Sequence, residues 1–277
     1  MKNYDFTPDD VMSYYYSGPY TLGDVANHFN ISNPTAVKYI KLAGGVIKSR
    51  QDLYNFGLKE DYFEVIDTEV KAYLLGLITA DGCVFYDKKN DSYRFLIQLQ
   101  EKDAEMISFI KNELCANRKI VIDKRDNSHS LTITSNKLCS DLIRLGIVPN
   151  KTFRTYLPDL NPVLYSHYIR GLFDGDGSLM IHHGHGKIEN VGYRFCIVGN
   201  YDLLNSVRLL LVDRLNVPES KVYKEPKGEQ LYRITWGARK DVVNICNYMY
   251  KNATIYLNRK YEKYKGMLIW NDTYPYR

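Results

Sequence analysis

Two aspartates, Asp81 and Asp176, sit in matching surroundings 95 residues apart. Asp81 lies in the stretch Ala72–Val84, AYLLGLITADGCV, and Asp176 in Tyr168–Leu179, YIRGLFDGDGSL. Each run is apolar, keeps a small residue at a four-residue spacing, and meets a glycine directly after the aspartate. Gly76 and Ala80 form the small pair in the first run, Gly171 and Gly175 in the second. Residues four apart share one face of a helix. Each run therefore reads as a helix with a strip almost bare of side chains, able to pack backbone to backbone, with the other run as its partner. Gly82 and Gly177 are expected to take the left-handed turn that ends a helix. Packed this way, the two carboxylates stand together at helix C-termini, where partial negative charge already collects. They repel unless a cation sits between them. Oxygen ligands of this kind suit Mg²⁺, and such an ion can activate water and stabilise a phosphodiester transition state.

Other reactive residue types offer less. His182, His183 and His185 cluster in what reads as a loop after the second run, a weaker candidate for metal. The five cysteines, at 83, 115, 139, 196 and 246, form no CxxC pair, which argues for reduced thiols and an intracellular protein. No Ser-His-Asp order, phosphate-binding GxxxxGK[ST] loop or dinucleotide fingerprint stands out.

The runs LLGLITADG (Leu74–Gly82) and IRGLFDGDG (Ile169–Gly177) resemble the paired motifs of the single-chain LAGLIDADG homing endonucleases, and the likeness spans roughly residues 67 to 265. The resemblance implies Asp81 and Asp176 as the catalytic aspartates. It implies a metal site made by them together with Ala80 and Gly175, taking Mg²⁺, with Mn²⁺ or Ca²⁺ able to substitute for binding. It also implies a basic residue near each cleavage centre. Lys151, in GIVPNKT, and Lys260, in YLNRKYEKY, fill that place, with Arg259 and Lys137 as substitutes; the role is to neutralise phosphate charge or polarise water. The motif's sixth letter, often acidic, is Thr79 in one copy and Asp174 in the other. Asp174 lies about 200° round the helix from Asp176 and is expected to point away from the metal. The family further implies a monomeric, site-specific double-strand DNA endonuclease. Its target would be long, degenerate and pseudo-symmetric, the cut staggered across the minor groove, and the gene a mobile-intron or free-standing one.

The elements that must position these residues follow from periodicity. The fold class is α+β, with two αββαββα halves at 67–157 and 158–277, which the family resemblance implies form a DNA-binding saddle. Asp67 or Thr68 caps the first motif helix, and Asn161 and Pro162 start the second. Arg94, Leu96, Gln98 and Gln100 alternate with Phe95, Ile97 and Leu99 as in a half-buried strand. Further strands are read at 119–126, 129–135, 193–199, 221–226 and 230–236, and helices at 103–115, 136–145, 201–215 and 241–251. Outward strand residues can read a major groove. Arg94, Gln98, Gln100 and Thr132 serve the first half on this reading, and Arg194 and Arg233 the second. Residues 1–45 read as a small helical unit resembling a helix-turn-helix, joined by a linker at 46–66. Thr21 caps its first helix, Asn30 takes the turn and Pro34 opens the second helix. Ala36, Tyr39 and Ile40 pack inward, leaving Thr35, Lys38 and Lys41 to face DNA.

Length and composition agree. The 277 residues are 45% hydrophobic, enough for a globular core. No apolar run approaches the ~20 residues that span a membrane, and the polar start MKNYDFTPDD is no signal peptide. Net charge is +5, with the surplus in residues 151–277, where 19 Lys and Arg face 12 Asp and Glu. That distribution suits a polyanionic partner. Two rival readings use the same fold: a transcription regulator with catalysis lost, against which both aspartates argue, and an RNA-binding intron maturase.

Overall fold

The computed structural model describes residues 5–148, 155–183, 191–226 and 230–273, the side chains of His182, His183 and Val191 excepted. The chain divides into two compact units, Met1–Lys59 with Lys111–Lys119 and Glu60–Ile110 with Ile120–Arg277.

In the first unit α1 (Pro8–Tyr16), α2 (Leu22–Phe29) and α3 (Asn33–Leu42) enclose a core of Val11, Tyr15, Val25, Ala36 and Ile40, and α4 (Arg50–Tyr54) follows. Thr21 and Asp24 form a reciprocal capping box at the start of α2, which satisfies two otherwise orphaned N–H groups. Asn30 ends α2 at φ 52° in the left-handed region, and Pro34 sits in the first turn of α3, both as the residue types require. The sequence reading does not resolve α1 or α4. The first buries mainly Val11 and Tyr15 in a run of three tyrosines, and the second has only five residues.

The second unit repeats one pattern. Its first half runs α5 (Glu69–Asp81), β1 (Gly82–Asp87), β2 (Ser92–Gln100), α6 (Ala104–Glu113, whose end is counted with the first unit), β3 (Val121–Asp123), β4 (Ser128–Thr134) and α7 (Asn136–Arg144). The second half runs α8 (Tyr165–Asp176), β5 (Gly177–His183), β6 (Val191–Gly199), α9 (Tyr201–Leu215), β7 (Tyr223–Lys224), β8 (Tyr232–Trp236) and α10 (Arg239–Tyr250), followed by α11 (Asn258–Thr273). The sheets are antiparallel with orders β1-β2-β4-β3 and β5-β6-β8-β7. Gly82 pairs with Ile97 in one and Gly177 with Ile197 in the other, so each motif helix enters its sheet at the same register point. The expected alternation holds: Phe95, Ile97, Leu99, Leu131 and Ile133 are buried, while Arg94, Leu96, Gln98 and Thr132 lie on the opposite face.

Four local expectations change. Each half gains a strand starting on the glycine after its aspartate. β1 escapes a period-two reading because it is buried only near the helix, with Phe85 and Tyr86 exposed. His182 and His183 consequently end β5, paired with Gly192 and Val191, instead of lying in a loop; His185 is outside the described residues. Asn161 caps a short 3-10 turn, Pro162–Leu164, and α8 begins only at Tyr165. The polar run of α11 hides a helix that buries Lys260, Tyr264 and Met267 at spacings of four and three. Among the described residues no helix is long and apolar enough to cross a membrane.

Candidate functional site

Helices α5 and α8 meet along their small residues. A Cβ on Gly76 would stand 2.0 Å from the Tyr168 carbonyl oxygen, and one on Gly171 would stand 2.0 Å from that of Tyr73. The partners obey one exchange rule, since Gly76 also abuts Leu172 N and Gly171 abuts Leu77 N. Each position of one helix maps on the other by the same offset of 95, the signature of an approximate twofold axis between them. Side chains repeat the rule. Tyr73 donates its hydroxyl to Asp174 at 2.8 Å, and Tyr168 donates to Thr79 Oγ1 at 3.1 Å. Both tyrosines stand eight residues before their aspartate. That repeat stands in the sequence, although the sequence reading drew no cross-helix bond from it.

The contact brings the two helix ends together. A Cβ on Gly175 would fall 2.3 Å from Ala80 Cβ and 2.7 Å from Asp81 Oδ2, so the Asp81 carboxylate lies over the bare backbone of α8. Asp176 and Ala80 line one small hollow with Thr79 and Asn200. Asp81, Asp176, Ala80 and Gly175 are therefore gathered, as their motif positions suggested. Gly82 and Gly177 are not left-handed. Their φ values are −90° and −93°, extended conformations open to any residue. Glycine is needed there for space: a Cβ would meet Ile78 Cγ2 at 2.7 Å or Phe173 Cδ2 at 2.2 Å. The chain turns from helix to strand within one residue, and no side chain fits inside that bend.

Asp174 turns away from the paired ends into the second half. It is fully buried and accepts from Tyr73, from the Tyr250 hydroxyl and from Leu257 N at 2.7 Å. Burial pushes its carboxyl above the ordinary value, while the three donors pull the other way. Lys260 is buried too. Its ammonium donates to the carbonyls of Phe173, at 3.1 Å, and Gly177, and burial lowers it to about 8. Arg259 donates to the Asp174 carbonyl at 3.1 Å and pairs with Asp103 at 2.9 Å. The two cations thus satisfy carbonyls of the last turn of α8 and the residue after it, a favourable place for positive charge. Lys137 is engaged with Glu64 and Asp141, and Lys151 lies outside the described residues. Among the described residues no group of three or more His, Cys, Asp or Glu side chains is assembled for a metal.

Solved structures resemble this arrangement. The complex of I-LtrWI, a LAGLIDADG homing endonuclease bound to target DNA, matches with a TM-score of 0.51 at 14% identity, over 78% of this chain and 92% of that one. I-SmaMI, bound to an uncleaved DNA target in the presence of calcium ions, matches at 0.53 and 14%, over 75% and 93%. The meganuclease I-AabMI on uncleaved DNA matches at 0.52 and 16%, over 73% and 90%. The chain has the LAGLIDADG homing endonuclease fold. No family model and no curated protein matches its sequence.

On this LAGLIDADG fold the outward strand residues occupy the sheet faces opposite the motif helices. Arg94 pairs with Asp87, Gln98 donates to Ser128 Oγ at 2.7 Å, and Gln100 is exposed. Thr132 stands opposite Leu96 on the same face. In the second half Arg194 and Arg233 line a groove of about 590 Å³ with Ser178, Met180 and Thr235, and Arg233 donates to Glu225 at 3.1 Å. In the first unit Lys38 and Lys41 are exposed on α3, and Thr35 shares a hydrogen bond with Ser32 at 2.9 Å.

Proposed function

We propose that this protein is a divalent-metal-dependent, site-specific endonuclease of double-stranded DNA. The observation that carries the reading is the seating of the Asp81 carboxylate on the bare backbone of Gly175, with Asp176 beside Ala80 across the same axis. The donor set fits a hard cation: two carboxylates and backbone oxygens at helix C-termini, with no soft ligand and with a glycine where any side chain would fill the cradle. Asp81 and Asp176 would hold the ion, together with the carbonyls of Ala80 and Gly175. When bound, Mg²⁺ supplies Lewis-acid stabilisation and a more acidic water. The protein's own part is positional. The Gly76–Gly171 contact fixes the spacing of the carboxylates, and Arg259 and Lys260 hold the last turn of α8. Lys260 and Lys151 add positive charge for the phosphate. Mn²⁺ or Ca²⁺ would support binding.

Two halves about a twofold axis suit the two strands of a duplex, and a single chain that carries both halves acts as a monomer. Arg94, Gln98, Gln100, Thr132, Arg194 and Arg233 would face bases or phosphates from the two sheets. In the first unit α2 and α3 form a helix-turn-helix whose Thr35, Lys38 and Lys41 would contact flanking DNA. Incubation with a randomised duplex library and Mg²⁺, followed by sequencing of new ends, tests the reading. Ends converging on one sequence family support it. Binding without cuts would overturn the endonuclease and favour a regulator on the same fold.

A further inference from the structure

We infer that Arg50 and Arg118, gathered on the ring of Tyr54, form a second phosphate-binding surface of the first unit, separate from α3. The inference rests on the reading that this chain binds duplex DNA. Its starting point is where the charge lies. Residues 5–45, which hold α1 to α3, carry two Lys against four Asp. Segments 46–59 and 111–119 carry six Lys and Arg against two acids. The unit's basic surplus therefore lies in these two segments, and a polyanion approaching the unit is drawn there.

The geometry is that of prepared donors. Arg118 lies with its guanidinium carbon 4.1 Å from the Tyr54 ring centroid, within cation–π range. It also donates to Gln51 Oε1 at 3.2 Å, one helical turn away on α4. Arg50, on the same helix, lies 5.5 Å from the ring and donates to the Tyr54 hydroxyl from Nε at 3.2 Å and Nη2 at 3.1 Å. The segments are joined by a backbone bond from Lys59 N to Leu114 O at 3.0 Å. Lys59 and Lys119 are exposed at their edges.

Arg94, Arg125, Arg208 and Arg233 each pair with a carboxylate. The guanidinium of Arg50 is instead held by a neutral phenol, so its charge is oriented but not cancelled. A planar fork fixed on an aromatic ring loses little freedom when it meets a phosphate, which it matches bidentately. Such a contact carries no base information, so it would strengthen binding to any duplex.

The test measures binding of the full chain to a short random-sequence duplex, in chelator so that nothing is cut, across a salt series. Each phosphate contact contributes about 0.9 to the slope of log K against log salt. Arg50→Gln with Arg118→Gln should flatten the slope by about 1.8, and Arg50→Gln alone, whose contacts lie within its own helix, by about 0.9. Lys38→Ala with Lys41→Ala should add to the double variant. An unchanged slope in correctly folded Arg50→Gln overturns this surface while leaving the DNA reading intact. A parent chain with no salt-dependent binding overturns both.

Discussion

Adding one methyl at the helix crossing distinguishes a packing role for Gly76 and Gly171 from a purely local one. Helix propensity alone makes Gly→Ala favourable, by about 1 kcal/mol in a helix interior. The structure predicts the opposite sign. A Cβ at either position would lie 2.0 Å from a carbonyl oxygen of the facing helix, so the backbones must separate by about 1 Å or more. Overpacking of this kind costs about 1–3 kcal/mol, and here the obstacle is rigid backbone. Gly76→Ala and Gly171→Ala should therefore each destabilise despite the propensity gain, lowering Tm by about 2–4 °C per kcal/mol. Gly266, in α11, is the internal control. Its Cβ would meet only Tyr193 Oη at 3.7 Å, so Gly266→Ala should hold or raise stability. Denaturant unfolding of the three variants beside the parent gives the comparison. If all three melt at or above the parent, the close crossing is not how the halves join.

Asp81→Asn and Asp176→Asn should each abolish cutting of at least one strand with DNA binding largely kept, and apo stability should hold or rise because a repelling carboxylate is removed; loss of binding with cutting retained per complex would remove them from the metal site. Lys260 gives a pH signature. Burial sets it at about 8 when folded, against roughly 10.4 unfolded. Between those values the unfolded chain holds a proton the folded one has released, so stability rises with pH across that window, by up to about 3 kcal/mol. The thiols of Cys139 and Cys246, raised by burial, oppose this from about pH 8.5 and the buried tyrosines from near pH 10, so the signature is the difference between parent and Lys260→Met, in which both cancel; equal pH profiles would show that the amine is not buried as described. Asp174→Ala should cost several kcal/mol, at about 1–3 for each of three donors left without an acceptor, while Thr79→Ala, which strips the acceptor from Tyr168 alone, should cost about 1–3. Similar costs in urea unfolding would contradict the asymmetry of the two networks.

Much of this arrangement was legible because it is written in short-range patterns. Small residues four apart announced the α5–α8 crossing, and alternation in Arg94–Gln100 and His129–Thr134 gave the central strands. Capping signs at Thr21, and at Asp67 or Thr68, gave two helix starts, the second of which falls on Thr68. Other features depend on contacts distant in sequence. The purpose of Gly82 and Gly177 is set by Ile78 and Phe173, which fill the bend, so glycine there suggested a φ requirement that does not exist. The placement of Lys260 against Phe173 and Gly177 needs α11, whose polar run shows little amphipathic pattern. Asp174 reads only as the motif's acidic sixth letter, pointing away from the paired ends, until Tyr250 and Leu257, more than seventy residues on, are seen to donate to it.

The paired helices are symmetric where they touch and asymmetric where they are supported. Gly76 and Gly171, Tyr73 and Tyr168, Ala80 and Gly175, and Asp81 and Asp176 are exchanged by one axis, and these residues set the spacing of the carboxylates. The equivalents one layer out differ. Where the first helix has Leu75, the second has Arg170, fully buried and donating to the Met249 and Ile255 carbonyls and to Glu69 at 2.7–2.9 Å. Where the first has Thr79, bonded within its own helix to Leu75 O at 2.8 Å, the second has Asp174. A duplicated chain keeps its symmetry only where both copies meet the same partner, and for these helices that partner is each other. Away from the axis each helix faces its own half. There the second recruited buried charges, which bind their surroundings into a specific arrangement because leaving any of them unpaired is costly. The carboxylate pair is thus held in common, while α8 is anchored by Arg170, Asp174, Arg259 and Lys260.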